Sequence, residues 1–491
     1  MDICSIEELN EYQKLCNMLI KKGNEVAVVY RTKPFVYNDI YSLINTYEKI
    51  LRRYMDVPAI IFKAEPSPNM IALILAAIKV KKPFVPVNFN ANEKRTSQIC
   101  SIMKVNGYFY ILEDNLCFHL DNNCSDYYNA EINYDEIAYV IFTSGSTGKP
   151  KGVKISYKAL FWFLCDITKI IDFSDCKNYL WLSNINFDIS LLEIFAPIIY
   201  KRTIHIAEKI EHQIPKLLIK KINKYRIDFI QITPSQYELL KLCNFESLIE
   251  DIPRVMLFGG ESMRMNQIRG LLNKNIDVYN MYGPTETTIW CSSKLIKSEK
   301  ELSIGNGFGH NKLIIFYNGK IIGSNENKEG ELLVSGMQLF SGYVEDSQNN
   351  NNVLVLDGKE YYKTGDIARF IDENNIVVLG RIDNQIKING VRIELEDIEN
   401  TIEGETGIKI VALFFQDSQR IVIICEEHNY YEELLSDINR IIDSYFSKGV
   451  SVNSIFSIKR FPLNKNMKVD RSELKEWCMK KMKYIKNVNG I

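Results

Sequence analysis

The sequence predicts an α/β protein of two or more domains, and three observations carry that expectation. Its 491 residues exceed what one hydrophobic core usually organises. Strand-like and helical patterns alternate along most of the chain, the mark of α/β proteins with largely parallel sheets. Hydrophobic residues make up 46% and charged residues 25%, the profile of a soluble globular protein.

The elements follow in order. "VPAIIFKA" (57–64) reads as a strand and "NMIALILAAIKV" (69–80) as the helix after it. "RIDFIQIT" (226–233) and "SQYELLKLC" (235–243) repeat the pairing, as do "PRVMLFGG" (253–260) and the more polar "SMRMNQIRGLL" (262–272). "KTGDIARFIDENNIVVLG" (363–380) reads as strand, Asp/Asn-rich turn, strand. Beyond it come "KIVALFFQ", "RIVIICEE" and the amphipathic "YYEELLSDINRIIDSYF", enough for a separate domain of about 100 residues. The boundary is placed at "GRIDNQIKING", where Asp383-Asn384 is turn chemistry, so the domains are expected to span 1–382 and 383–491.

Charge and cysteine use narrow the function classes. Lys plus Arg number 60 against 61 acids, a net charge of -1, which argues against nucleic-acid binding. Eleven cysteines lie scattered without a C-x-x-C pair, favouring reduced thiols over a disulfide framework or a zinc site. The start "MDICSIEELN" lacks a signal-peptide pattern, and no apolar run reaches the roughly 20 residues that span a bilayer. A cytoplasmic protein, without a membrane role, is expected.

The stretch "YVIFTSGSTGKPKGV" (139–153) carries the first chemical signal. Glycines let the backbone approach an anion, and successive amides and hydroxyls can cradle phosphate oxygens. It is not the G-x-x-x-x-G-K-[ST] loop, because Gly145 and Gly148 are three apart and Pro150 follows Lys149. On composition alone, a Gly/Ser surface turn is an equal alternative.

That stretch closely resembles the phosphate loop of the adenylate-forming superfamily, which includes adenylation domains of nonribosomal peptide synthetases, acyl-CoA synthetases and luciferases. Further motifs follow in the family's order: "NFDISLLEIFAPI" (substrate entry), "NMYGPTETTIW" (adenine and magnesium), "YYKTGDIARF" (ribose), "GRIDNQIKINGVRIELEDIE" (hinge) and "FPLNKNMKVDRSEL" (closing lysine). The matches run from about Phe35 to Leu474. The fold this implies is a large N-terminal domain of α/β subdomains with a small β-barrel-like part, plus a small mobile C-terminal α+β lid.

The resemblance also implies ATP and Mg²⁺ as cofactors, and attack of a substrate carboxylate on the α-phosphate of ATP. Two anions must meet, so cations and preorganised donors are needed. Thr143, Ser144, Gly145, Ser146, Thr147 and Gly148 match the groups that hold the outer phosphates. Glu286 matches the magnesium ligand, sufficient alone because magnesium keeps waters and takes phosphate oxygens; outside the motif it would read as a helix-start glutamate. Tyr282 matches the ring stacked on adenine, and Asp366 and Arg381 match ribose contacts; a turn aspartate and a strand-end arginine are the plain alternatives. Gly260, Asn280, Gly283 and Thr285 complete the nucleotide set. Lys468 matches the lysine bridging carboxylate and α-phosphate, a donor type whose removal costs about 2.7–4 kcal/mol in the transition state. Met467 stands where the family usually has glycine, and Lys465 is the solvated alternative. Asp383 is the expected hinge, carrying Lys387 and Gly390 to a thioester-forming face; a plain turn is the alternative.

Asp188 decides the substrate class. Ser190-Leu-Leu-Glu193 reads as a capping box, which places Asp188 just outside a helix start. An aspartate beside an apolar pocket is costly unless paired, and in relatives that activate amino acids the matching aspartate binds the substrate ammonium. Ser235-Gln-Tyr-Glu238 reads as a second box, which leaves Gln231 at a strand end facing the cavity. Carried over by position, the pocket is Phe187, Asp188, Ile189, Leu192, Gln231, Leu257, Gly259, Met281, Ile289, Trp290 and Lys468. The set resembles the family's glycine pattern with Met281 in place of leucine, a volume-conserving exchange. Bulky walls select a small substrate by exclusion, whereas rewarding one extra methylene gains only about 1–3 kcal/mol. Glycine is expected, with cysteine and then alanine, including D-alanine, as competitors; a D-alanine–carrier-protein ligase, an acyl-CoA-type ligase and a catalytically silent relative are the other readings. Only a short basic tail follows Leu474, so a separate phosphopantetheinylated carrier protein is the expected partner. The resemblance leaves room for a small activating partner protein.

Overall fold

Short apolar segments become strands wherever the alternation foretells them. The computed structural model describes residues 9–121, 134–143, 150–248, 253–272, 274–298, 302–344, 352–382, 385–388, 391–415, 420–426, 431–445, 450–462 and 469–489. The chain divides into two compact units, Met1–Phe142 with Lys151–Asp383, and Asn384–Ile491 with Thr143–Pro150.

Among the described residues, the first unit holds three sheets. A nine-stranded sheet runs in the order Asn306–Gly307, Ser292–Leu295, Asp277–Tyr282, Val255–Phe258, Phe229–Ile232, Asn178–Trp181, Thr203–Ile206, Val26–Tyr30, Lys33–Val36. Its six inner strands, Asp277–Tyr282 to Val26–Tyr30, are parallel, and the outer ones antiparallel. Inner strands such as VMLF and FIQI are buried along their whole length, as strands covered on two faces must be. The second sheet contains Ile60–Lys63, Phe84–Val87 and Ile137–Thr143. The helix Pro68–Lys79 between the first two of these strands starts on Ser67, whose hydroxyl accepts from the Met70 amide at 3.2 Å, with Pro68 at the tolerated first position. That helix is buried almost all round, so its sequence reads apolar throughout.

Register decides which side chains share a face. Gln231 pairs with Leu257, and Leu257 with Tyr279. Side chains alternate along a strand, so Gln231, Leu257, Gly259 and Met281 occupy one face at the carboxyl ends of three adjacent parallel strands. Leu257, Met281, Ile289 and Trp290 belong to the core under that face with Leu192; Ile230, Met256, Phe258 and Val278 belong to the core on the other.

The third sheet is antiparallel and built round the long strand Lys359–Asp372. Gly330–Ser335 pairs with it, as do Val353–Leu356 and, farther along, Asn375–Arg381. The last pairing sets Asp366 directly opposite Arg381.

The second unit has its own core, which includes Val411, Leu413, Val422, Ile424, Leu474 and Cys478. Ile410–Phe415 runs antiparallel to Arg420–Glu426, which runs parallel to Val452–Ile458. The helices are Leu395–Thr406, Tyr431–Tyr445 and Arg471–Asn489. Arg471 ties the last of these to the first and to the sheet, reaching Glu399 at 2.7 Å and the Ala412 carbonyl at 2.9 Å. A ribbon, Gln385–Ile388 against Val391–Glu394, sets Lys387 opposite Arg392. Among the described residues no helix is long and apolar enough to cross a membrane, and the described cysteines are free thiols.

Candidate active site

After the strand Asn178–Trp181 the chain turns through Asn184–Phe187, with the Phe187 amide on the Asn184 carbonyl at 3.0 Å. The helix Ile189–Ile199 begins there, with Asp188 at the N-cap position. The expected box of Ser190 and Glu193 does not form. Ser190 lies inside the helix and donates to the Phe187 carbonyl at 2.7 Å. Because the turns 184–187 carry the chain into the helix two residues early, Glu193 points back at the strand end. There it accepts from the Leu182 and Ser183 amides at 3.0 and 2.8 Å. The second expected box is also displaced: Thr233 and Gln236 cap the helix Pro234–Leu242, and Ser235 donates its amide to Glu261 at 3.1 Å.

Asp188 makes no side-chain cap bond. It is 5% exposed, and its Oδ2 has no hydrogen-bond partner. Burial pushes its carboxyl up to about 6 and the charge of Glu286 adds to this, while the Ile289 and Ile189 amides and the Thr285 hydroxyl pull it back. An unpaired buried carboxylate is costly to keep, and its natural complement is a cationic nitrogen.

The turn that faces it is strained. Thr288 and Ile289 have φ of 58° and 67°, the left-handed region that β-branched residues avoid at a cost of about 1–3 kcal/mol each. Thr288 is held there by its hydroxyl on the Gln338 carbonyl at 2.6 Å. The strain places Trp290, 1% exposed, flat on Gly259, where an added Cβ would lie 2.3 Å from Cη2 of the indole. The indole N–H donates to Gln231 Oε1 at 3.0 Å. Leu192, Leu257, Met281 and Ile289 close the wall and are all buried, Ile189 and Phe187 partly so.

The nucleotide candidates form a second cluster. Tyr282 ends its strand and donates its hydroxyl to Asp366 Oδ2 at 2.6 Å; Arg381 donates to Asp366 Oδ1 and to the Thr364 carbonyl, each at 3.0 Å. Burial and the Asp366 charge hold the Tyr282 hydroxyl well above its usual range, so it stays a donor. Asn280 donates to the Ser303 carbonyl at 2.7 Å. Gly260 has φ +80°, and a Cβ at Gly283 would lie 2.7 Å from the Ile289 carbonyl oxygen, so glycine is required at that close approach.

Glu286 sits with Thr285 in a single 3₁₀ turn, buried, with the Tyr343 hydroxyl donating to it at 2.9 Å. A buried hard oxygen donor fits Mg²⁺. Among the described residues no group of three His, Cys, Asp or Glu could cage a metal, so Glu286 suits only an ion that draws its other ligands from phosphate and water. Thr143 ends the strand Ile137–Thr143. Ser144, Gly145, Ser146, Thr147, Gly148, Lys149, Asp383, Gly390, Lys465, Met467 and Lys468 lie outside the described residues.

Three residues escape sequence reading. Glu193 left a signal, the single charge in the otherwise apolar helix ISLLEIFAPII. Thr364 lay inside the quoted ribose motif without being singled out, and Tyr343 left no signal, because it acts on a residue distant in sequence.

A family model described as AMP-binding enzyme matches residues 20–344. Bacitracin synthase 3 of Bacillus licheniformis is 28% identical over 93% of the chain, and the chain spans only 8% of that synthase's length. The D-alanine–D-alanyl carrier protein ligase of Bacillus velezensis is 27% identical over 83% of the chain and 87% of its own. Among solved structures, the Vibrio cholerae adenylation domain AlmE in complex with glycyl-adenosine-5'-phosphate superposes with a TM-score of 0.79 at 19% identity, covering 96% of this chain and 97% of that one. At that identity the likeness establishes the fold.

Proposed function

The chain belongs to the AMP-binding enzyme family, and from that premise we propose that it activates glycine as glycyl-AMP and passes the glycyl group to a carrier protein's phosphopantetheine thiol. The observation that carries the reading is the buried Asp188 carboxylate, one oxygen unpartnered, against the Ile289 turn that sets Trp290 on Gly259. A substrate ammonium completes that carboxylate, and the wall leaves the α-carbon no room for a large side chain.

The substrate carboxylate then faces ATP. One carboxylate oxygen forms a bond to the α-phosphorus as the bond to the bridging oxygen breaks, and pyrophosphate leaves. Asp366 keeps acceptor capacity for the ribose hydroxyls while Arg381 fixes its orientation, and Tyr282 offers its ring to adenine. Glu286 would hold Mg²⁺, which supplies charge neutralisation at the phosphates. The hydroxyls and amides of 143–148 cradle the outer phosphates, and Lys468 bridges the two reacting anions. In the second half-reaction a thiol attacks the adenylate carbonyl and AMP leaves, with Asp383, Lys387 and Gly390 serving the rearranged state.

Similarity to a D-alanine–carrier-protein ligase makes D-alanine the second reading. Pyrophosphate exchange measured across glycine, L-alanine, D-alanine, L-cysteine and an aryl acid separates the two. Glycine is expected to give the largest rate, and exchange with D-alanine alone overturns the assignment.

A further inference from the structure

We propose that Glu193 is a specificity-determining positioning residue: through Gln231 it clamps the indole of Trp290 over Gly259 and so closes the pocket to any side chain. The proposal rests on the glycine reading above.

The geometry is a chain of hydrogen bonds with a fixed direction. Trp290 Nε1 donates to Gln231 Oε1 at 3.0 Å. Gln231 Nε2 donates to Glu193 Oε1 at 3.2 Å and to the Ile189 carbonyl at 2.8 Å. Glu193 receives two more donors at its other oxygen, the amides of Leu182 and Ser183, and the Ser183 hydroxyl at Oε1 at 2.7 Å. Glu193, Gln231 and Trp290, whose side chains form the chain, are each exposed to 1% or less. Glu193 is therefore anchored to the backbone at the end of one parallel strand, Gln231 stands on the next, and Trp290 is held at the far end.

Direction is what makes the carboxyl group necessary. Gln231 can accept from the indole only if its amide nitrogen points at Glu193, and Glu193 can receive that nitrogen only with an oxygen. A glutamine at 193 has one oxygen. If it serves the two backbone amides, its own NH₂ meets the NH₂ of Gln231; if it serves Gln231, its NH₂ meets the backbone donors. Either arrangement opposes two buried donors, a mismatch proteins rarely tolerate. The relief available is rotation of the Gln231 amide, which turns its nitrogen toward the indole N–H and releases Trp290.

Glu193→Gln is the test, read by pyrophosphate exchange with glycine and with both alanines. A closed pocket discriminates against one added methyl by about 10–200-fold. The variant is expected to lose about tenfold of that ratio, with KM for ATP unchanged, since Glu193 touches no nucleotide candidate. Gln231→Met leaves the indole whole and removes the acceptor of its N–H, so it should reproduce the loss, and adding Glu193→Gln to it should do nothing further. A folded Glu193→Gln enzyme with the parental glycine-to-alanine ratio overturns the proposal. If that variant does not fold, Gln231→Met decides alone: retained discrimination overturns it, lost discrimination supports it. The two readings fail separately. Parental enzyme that prefers D-alanine to glycine removes the glycine assignment and the closed pocket with it, while a parental preference for glycine that the variants keep overturns the clamp alone.

Discussion

The proposed substrate end and the proposed nucleotide end of this site handle buried charge in opposite ways. At the nucleotide end, Asp366 is met on both oxygens by Tyr282 and Arg381 at 2.6 and 3.0 Å. At the substrate end, Asp188 is as buried yet keeps an oxygen without a partner. A paired carboxylate is preorganised and indifferent to what arrives; an unpaired one is a deficit that a cation removes. The contrast suggests that the nucleotide end contributes orientation, whereas the substrate end turns stability lost in the free protein into affinity for an ammonium group.

The sharpest way to break this comparison is Asp188→Asn, which keeps shape and removes charge. Glycine-dependent exchange should fall about 10²–10³-fold, the scale of losing one member of a buried charged pair. Stability should move the other way. A carboxyl raised from 3.8 to about 6 by burial is favoured in its neutral form. Its folded-state advantage is full below the unfolded value and is lost as pH rises through about 6. The variant should therefore equal the parent near pH 4 and exceed it above pH 6, by at most about 3 kcal/mol. Thermal denaturation at both pH values measures this. In the parent, kcat/KM for glycine should climb through the same interval, because the ionised form binds the ammonium. A variant that is less stable at pH 7 means that Oδ2 of Asp188 already has a partner.

Gly259→Ala sharpens the comparison from the apolar side. Its methyl would stand 2.3 Å from the indole, and overpacking of this kind costs about 1–3 kcal/mol. Trp290 cannot retreat freely, because its N–H is committed to Gln231. The expected outcome is a lower melting temperature and a raised KM for glycine, with KM for ATP unchanged. Unaltered glycine kinetics would mean that the indole does not form the pocket floor.

These differences also mark how far the sequence can be read. Strands and helices were legible because apolar runs such as VMLF and MIALILAAI are local signals. Asp188 and Gln231 were marked by their positions in motifs that resemble the family's, and the structure buries both. The capping boxes misled because S-x-x-E records spacing and not direction: the preceding turns start the helix early and send Glu193 to Leu182 and Ser183. Thr288 and Ile289 gave no warning of positive φ, since neither is glycine or asparagine; tertiary contacts force that turn. The pairing of Asp366 with Arg381 depends on strand register, and the partner Tyr282 is 84 positions away.

The mildest test falls on the satisfied end. Tyr282→Phe keeps the ring and removes the hydroxyl that donates to Asp366. Arg381 still holds the other oxygen, so the carboxylate remains oriented and the loss should be that of one hydrogen bond, about 1 kcal/mol. KM for ATP should rise about three- to tenfold, since 1.4 kcal/mol is one decade, with the glycine-to-alanine ratio unmoved. A shift in amino-acid selectivity would show that the ends are coupled through the strand Asp277–Tyr282, which also carries Met281. An unchanged ratio keeps them separable, so that Asp188, the clamped indole and Glu193 would set the choice of substrate while Asp366 and Arg381 position the nucleotide.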